Sequence, residues 1–586
     1  MEPKSGRQTF TSNKKFYTYI KSQKKDTCGV APLKTNHGLQ TNPQDKAETL
    51  NLQFQKAFTA KSDSPVPDKG ESPHSDMSEF HIQEGGLIYL LNQLDPNKAS
   101  GPDQIPSRYL ILFSTEIAPI LKIIFQQSIE TAQVPSEWKE AHIAPLFKKG
   151  DRSDPVNYRP VSLTSICSKL LEHIIVSNIM DHLDSKSILV DNQHGFRSRR
   201  SCETQLIQTT HDFATNLDNK IQTDVAILDF TKAFDKVDHK LLLYKLQYYG
   251  IRGNILNWIE NFLTNRSQKV VIDGKISNPI DVTSGVPQGT VLGPILFLIF
   301  INDIADDLHS HARLFADDCL LYKEIVSQND CSLLQNDLDK LNLWANKWKM
   351  EFNVSKCFIM NITLATKNRV QHTYTMKGQS LINTTNTKYL GITISSDLKW
   401  NKHIDIITAK ATRILNFIRR NLKRCPQKLK EKAYLTYVRP QLEYCSTVWD
   451  PHTKENITKI DKIQNRAARF TTNNYQQTAS VSEMVRNLNW PPLQQRRQYF
   501  NLVLFYKVVN RFICIPRTIL PPPISSIHNT RHSHTQQFLI PQCRINAYKF
   551  SFIPRTTIVW NHLPQDVVSS FTVDSFKDQL SATFKA

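Results

Sequence analysis

The pattern of apolar and polar positions divides the chain near Gly86. Residues 1–85 are polar and rich in Lys, Ser, Thr, Gln and Pro, with one helix-like patch over 47–58, which predicts a linker or arm that is largely disordered. Beyond it, helical spacing of apolar residues recurs over 109–129, through Leu170, Leu171, Ile174 and Ile175, over 202–217, and at Leu334, Leu338, Leu341, Ala345 and Trp348. Strand patterns fall over 138–147, over 224–230, and on both sides of Asp317-Asp318, where 313–316 and 319–322 read as the arms of a hairpin with the two acids at its turn. A further hairpin pattern covers 388–394. The apolar stretch 291–301 is broken by Gly293 and Pro294 and is about half of what a bilayer-spanning helix needs. A chain of 586 residues with these elements is expected to form several domains.

Charge sharpens the picture. The net charge is +20, and residues 401–470 carry 16 Lys and Arg against 6 Asp and Glu, which is half of that excess. A basic helical domain there, with Lys410, Arg413, Arg419 and Arg420 beside Ile404, Ile407, Ala411 and Leu415, points to contact with a phosphate backbone; a merely solvated charged face would read the same way. The ten cysteines form no C-x-x-C pair and no Cys/His finger spacing, so reduced structural thiols are expected rather than a disulfide frame or zinc module. The first residues lack the apolar core of a secretory signal, and the expectation is an intracellular protein of the nucleus, the cytoplasm or both, without a membrane partner and with no obligate protein partner identifiable from the sequence.

The chemistry concentrates in acids. Asp229 closes the apolar strand pattern at 224–230, where a carboxylate sits at a sheet end; an N-cap for the following helix would use the same residue. Asp317 and Asp318 lie 88 and 89 residues further on, and alone they would also serve as an ordinary turn. Two neighbouring strands could bring all three carboxylates together, which suits hard divalent cations and a two-metal phosphoryl-transfer site.

In order and spacing, the stretches 228–235 (LDFTKAFD), 285–289 (GVPQG) and 315–318 (FADD) resemble the palm motifs of reverse transcriptases. The flanking 157–163 (NYRPVSL), 194–197 (HGFR) and 388–391 (KYLG) are similar to those of the non-LTR retrotransposon, LINE-type, branch, and the tail is similar to that of jockey and CR1-like elements. The resemblance covers roughly 86 to the C-terminus. It implies an α+β right-hand polymerase: fingers over 86–222, a palm with an antiparallel sheet over 223–398, a basic helical thumb over 399–480 and a C-terminal extension over 481–586. It implies metal ligands Asp229 and Asp317, with Asp318 beside them, for two Mg²⁺ ions, Mn²⁺ being an alternative. It implies a sugar gate at Phe234, a loop against the template and nascent pair at Gln288 and Gly289, triphosphate contacts from Arg197, Arg159 and Lys148, and protonation of pyrophosphate by Lys356. The implied activity is RNA-directed DNA synthesis, with an RNA template, a DNA primer or target DNA, and dNTPs as partners.

The likeness departs from full-length relatives in one respect: the polar first 85 residues are too short for their apurinic-type endonuclease. A truncated or split element product is therefore expected. A remnant that binds RNA without synthesis is the alternative, and a splicing-assisting host reverse transcriptase is a weaker one.

Overall fold

Strand Gln222–Leu228 is the middle of a five-stranded sheet in the order Ile382–Asn383, Phe358–Ile362, Gln222–Leu228, Asp318–Ile325, His311–Phe315. Both neighbours of the central strand run antiparallel to it. A computed structural model describes residues 29–36, 38–59, 65–365, 367, 369–524 and 534–584. The central strand is apolar on both sides because both sides are buried, and its alternating residues feed two different cores. Ala226 and Leu228 join Cys319, Leu321 and Ile359 on one face, against the apolar helix Leu292–Ile301 and helix Gln328–Lys347. Val225 joins Leu320, Tyr322, Met360 and Ile362 on the other, against helix Cys202–Asp218. Helix Leu292–Ile301 is hydrophobic all round because it is enclosed all round, and no helix among the described residues is long and apolar enough to cross a membrane.

A second sheet joins Tyr158–Leu163, Glu140–Phe147, Arg266–Ile272 and Lys275–Ile276, with Ile280–Val282 paired to Arg266–Ile272. The helix expected over 109–129 is two helices, Ser107–Leu112 and Ser114–Glu130, with the break at Phe113. After the central sheet comes helix Asn401–Asn421, whose Ile404, Ala411, Leu415 and Ile418 are buried while Lys410, Arg413, Arg419 and Arg420 face out.

The C-terminal extension shares its core with the helices before it. Phe505, Trp560 and Phe576 belong to the same core as the preceding basic helices, and the backbone amides of Arg544 and Ile545 both donate to Asp218 on helix Cys202–Asp218 at 2.8 Å. Of the arm expected over 1–85 to be largely disordered, 29–36, 38–59 and 65–85 are described and pack on the rest of the chain, and the other positions lie outside the described residues. Helix Pro43–Gln55 starts with Pro43 at its first position and the Asn42 side chain accepting from the Gln44 amide, and it buries Ala47, Leu50 and Phe54 against Ala141, Ile143, Val270 and Ile272 of the second sheet. Downstream, the Met77 amide donates to the Gly250 carbonyl at 2.9 Å, and the Lys69 ammonium lies 2.5 Å from Asp303. Composition missed this because three apolar residues at helical spacing vanish in a polar average, yet each meets a preformed partner surface. Leu50, which has no exposed surface, is expected to cost about 2–5 kcal/mol of local stability when changed to Ala, read as accelerated amide exchange over 43–55.

Candidate active site

Asp229 follows directly on the end of strand Gln222–Leu228 and is pinned from behind, its carbonyl accepting from the Asn353 amide at 2.8 Å. The register Cys319↔Leu228, continued by one step, sets Asp318 opposite Asp229 across the sheet end. Phe315 pairs with Asp318, so Ala316 and Asp317 form the two-residue turn of the hairpin, with Ala316 at φ 52°. That turn is braced by the motif at 193–197. The Gln193 side-chain oxygen accepts from the amides of Ala316 (2.9 Å) and Gly195 (2.8 Å), and the His194 amide donates to the Leu314 carbonyl at 2.8 Å. Gly195 passes so close that a Cβ there would sit 2.5 Å from the Ala316 nitrogen.

Lys356, on the short turn Val354–Lys356, places its ammonium 3.1 Å from the Asp229 carboxylate. Phe234 is the second residue of the short helix Ala233–Lys236 and stacks on Phe297 with ring centroids 4.3 Å apart. The loop 284–289 is laid against that helix: Val286 donates to the Phe234 carbonyl at 2.8 Å, and the Gln288 side chain donates to the Asp235 carboxylate at 2.9 Å. Its two glycines are forced by backbone contact. Gly285 (φ 84°) would put a Cβ 2.7 Å from the Asp235 backbone, and Gly289 (φ 105°) would put one 2.6 Å from the Ser162 carbonyl oxygen.

These elements enclose one cavity of about 460 Å³, lined among others by Asp229, Asp317, Lys356, Phe234, Gln288, Lys148 and Arg159. Seven of the residues singled out in the sequence therefore meet in one place. Three do not line it. Gly289 lies behind the wall, against Ser162. Asp318, the first residue of the returning strand, opens instead into a recess of about 270 Å³ shared with Lys388, Tyr389, Leu390 and Gly391. Arg197 is turned onto its own segment, donating to the carbonyls of Leu189 (3.3 Å) and Val190 (3.2 Å) and lying 3.4 Å from Asp184. Lining residues missed as site residues include Asp235, Lys232, Phe54 and Phe58. Asp235 and Lys232 stood within a motif already singled out, but nothing in the sequence pointed Phe54 and Phe58 of the arm toward this cavity.

The electrostatics are those of a cation site. Burial raises the Asp317 carboxyl above the usual range, with the Asp229 charge adding to the shift and Arg159 and Lys148 opposing it. Asp318, although open to solvent on one side, is raised by surrounding protein and by the charges of Asp317 and Asp229. Among the described residues no three His, Cys, Asp or Glu side chains converge into a ready-made metal cage. Two mutually repelling carboxylates on one cavity wall are nonetheless the protein share that Mg²⁺ usually takes, its other ligands coming from water and phosphate. The donor set fits.

Two imidazoles near the site's supports titrate abnormally. His194 is pushed down to about 3 by burial and then by Arg200, Arg313 and Arg197, and His403 is pushed down to about 4 by burial. A folded-state pKa below the unfolded value of about 6.5 means that the unfolded chain takes up the proton first as pH falls. Stability is therefore expected to be complete above pH 6.5 and to drop below it by about 1.4 kcal/mol per pH unit for each histidine, continuing down to about pH 4. Urea midpoints at pH 7 and pH 5 test this, and His403→Gln is expected to remove one histidine's share of the difference and leave that of His194.

A carboxylate pair at the open end of an antiparallel sheet, facing a basic cavity with a stacked aromatic ring, is the equipment of a protein that handles nucleotide phosphates. The comparisons place it more closely. Residues 147–394 match the family of reverse transcriptases (RNA-dependent DNA polymerases). The chain is 28% identical over 482 residues to the probable RNA-directed DNA polymerase from transposon BS of Drosophila melanogaster, covering 77% of this chain and 52% of that protein. It is 28% identical over 478 residues to the RNA-directed DNA polymerase from mobile element jockey of the same organism, covering 78% and 51%. It is also 29% identical over 248 residues to a Pol polyprotein from the type-1 retrotransposable element R2 of Popillia japonica, covering 38% of each. Residues 147–394 thus match a reverse transcriptase domain, the chain is similar to polymerases of transposons and mobile elements, and it spans about half the length of the first two relatives.

Proposed function

We propose that this chain is an RNA-directed DNA polymerase that extends a primer 3′-hydroxyl with dNTPs on an RNA template. The observation that carries the reading is the convergence of Asp229, Asp317, Lys356, Phe234, Gln288, Lys148 and Arg159 on one cavity. Asp229 and Asp317 would hold Mg²⁺, or Mn²⁺ in its place, which when bound supplies Lewis-acid neutralisation of the charge that develops in an in-line phosphoryl transfer. Lys148 and Arg159, exposed at the cavity rim, meet the triphosphate, where a guanidinium matches two phosphate oxygens at once. Phe234, held by its stack on Phe297, lies under the nucleotide sugar and excludes a 2′-hydroxyl. Gln288, fixed by Asp235, and Gly289 behind it set the surface against the template and nascent pair. Lys356 gives its proton to the leaving pyrophosphate. Asp318, facing the Lys388–Gly391 recess, shapes the hairpin and its field from the far side, and Arg197 braces the segment that carries it. The division into fingers (86–222), palm (223–398), thumb (399–480) and C-terminal extension (481–586) is part of the same proposal.

Primer extension on an oligo-primed RNA with dNTPs and Mg²⁺ tests the reading, and incorporation directed by the template is expected. RNA binding without incorporation in either Mg²⁺ or Mn²⁺ would overturn it in favour of a non-catalytic RNA-binding protein.

A further inference from the structure

Helix Asn401–Asn421 packs beside strand Ile392–Ser395 of a separate two-stranded hairpin with Asn386–Tyr389, where His403 accepts from the Thr393 amide at 3.2 Å. Its 21 residues carry it roughly 30 Å outward. At its far end, where it meets the C-terminal end of helix Lys454–Thr472, a separate cavity of about 470 Å³ is lined by Asn416, Arg419, Arg420, Lys423, Phe470, Asn473 and Tyr475. No acid lines it. Arg419, Arg420 and Lys423 are exposed and make no ion pair among the described residues, whereas other cations of the same region are matched, as Lys459 is by Asp405 and Glu455. Tyr475 is 51% exposed at the rim.

Basic residues in a last helical turn can be explained by the helix dipole alone. Two helix C-termini meet here, each worth about half a negative charge, against three full cations, so a surplus of about +2 is left without a counter-charge. A surplus of that size beside an exposed aromatic ring is chemistry for phosphate and base together. Bases inside a duplex offer no free face, so Tyr475 can stack only on an unpaired one.

We infer that this cavity binds single-stranded RNA, with consecutive phosphates on Arg419, Arg420 and Lys423 and one base stacked on Tyr475, apart from the cavity that holds the carboxylates. The inference rests on the proposed function only for supplying an RNA partner. The probe is a fluorescein-labelled oligouridylate of about ten nucleotides, within the span that one such groove covers. Binding to the full chain is followed over a salt series. Tyr475→Ala is expected to weaken binding about tenfold, and Tyr475→Phe is expected to restore it because the ring face is kept. The variant combining Arg419→Ala, Arg420→Ala and Lys423→Ala is expected to reduce the slope of log affinity against log salt by about 2, the share of three phosphates. All four side chains are exposed, and unchanged melting temperatures establish that each variant is folded. Unchanged affinity and slope would overturn the site. Equal losses against a blunt RNA duplex would overturn it in favour of a duplex face. A wild-type chain that binds the oligonucleotide as expected but fails in primer extension would leave this site standing and remove the polymerase reading.

Discussion

Asp229→Asn and Asp317→Asn are each expected to lower primer extension by at least about 10³-fold while leaving fold and RNA binding intact. The substitutions keep shape and remove charge, so they isolate the electrostatic role. The two residues are not equivalent in the folded protein. Asp317 is disfavoured as an anion by burial and by Asp229, so its replacement with a neutral amide removes a repulsion, and the melting temperature is expected to hold or rise. Asp229 is matched by Lys356 at 3.1 Å across a partly exposed pair, so Asp229→Asn loses a weak ion pair and shifts stability little. Loss of activity with unchanged or increased stability is the signature of a group kept for chemistry. Substantial extension by either variant, measured at saturating dNTP, would remove that residue from the metal site.

Phe234→Ala is expected to raise the ratio of kcat/KM for an rNTP to that for the matching dNTP by about 10²-fold, chiefly by relieving exclusion of the 2′-hydroxyl. The ring is available for this role because it is held on two sides. It stacks on Phe297 with an interplanar angle of 16°, and the backbone carbonyl beside it accepts from Val286. Removing a partly buried ring also costs packing, so Phe234→Val, which keeps more of the volume, serves as the second variant. Both should melt lower than the parent, and both should relax sugar choice. An active variant whose rNTP/dNTP ratio equals that of the parent would sink the gate.

The acids were legible in the chain because each sits where a pattern stops: Asp229 at the end of an apolar run, Asp317 and Asp318 between two short ones. The structure adds which of them share a wall. Asp317 is a turn residue and Asp318 the first residue of the returning strand, so the two face different cavities although they are adjacent in the chain. Arg197 carried the residue type expected at a triphosphate, but its guanidinium is engaged by the Leu189 and Val190 carbonyls, and the motif around it braces the hairpin turn. Residue type gives the chemistry a side chain can do; its rotamer and neighbours decide where it is done.

The same division runs through the fold. Local patterning determined what depends on neighbours a few residues apart: the apolar central strand, the acid-tipped hairpin, the amphipathic helix Asn401–Asn421 and the surplus of charge after residue 400. Only the tertiary structure decided what depends on partners hundreds of residues away. Helix Pro43–Gln55 is ordered because the second sheet presents Ala141, Ile143, Val270 and Ile272 to it, and the C-terminal helices are joined to helix Cys202–Asp218 because Asp218 and the core around Phe505 and Trp560 receive them. A short polar-rich segment has too little apolar area to order itself, and the surface that makes up the difference is written elsewhere in the chain.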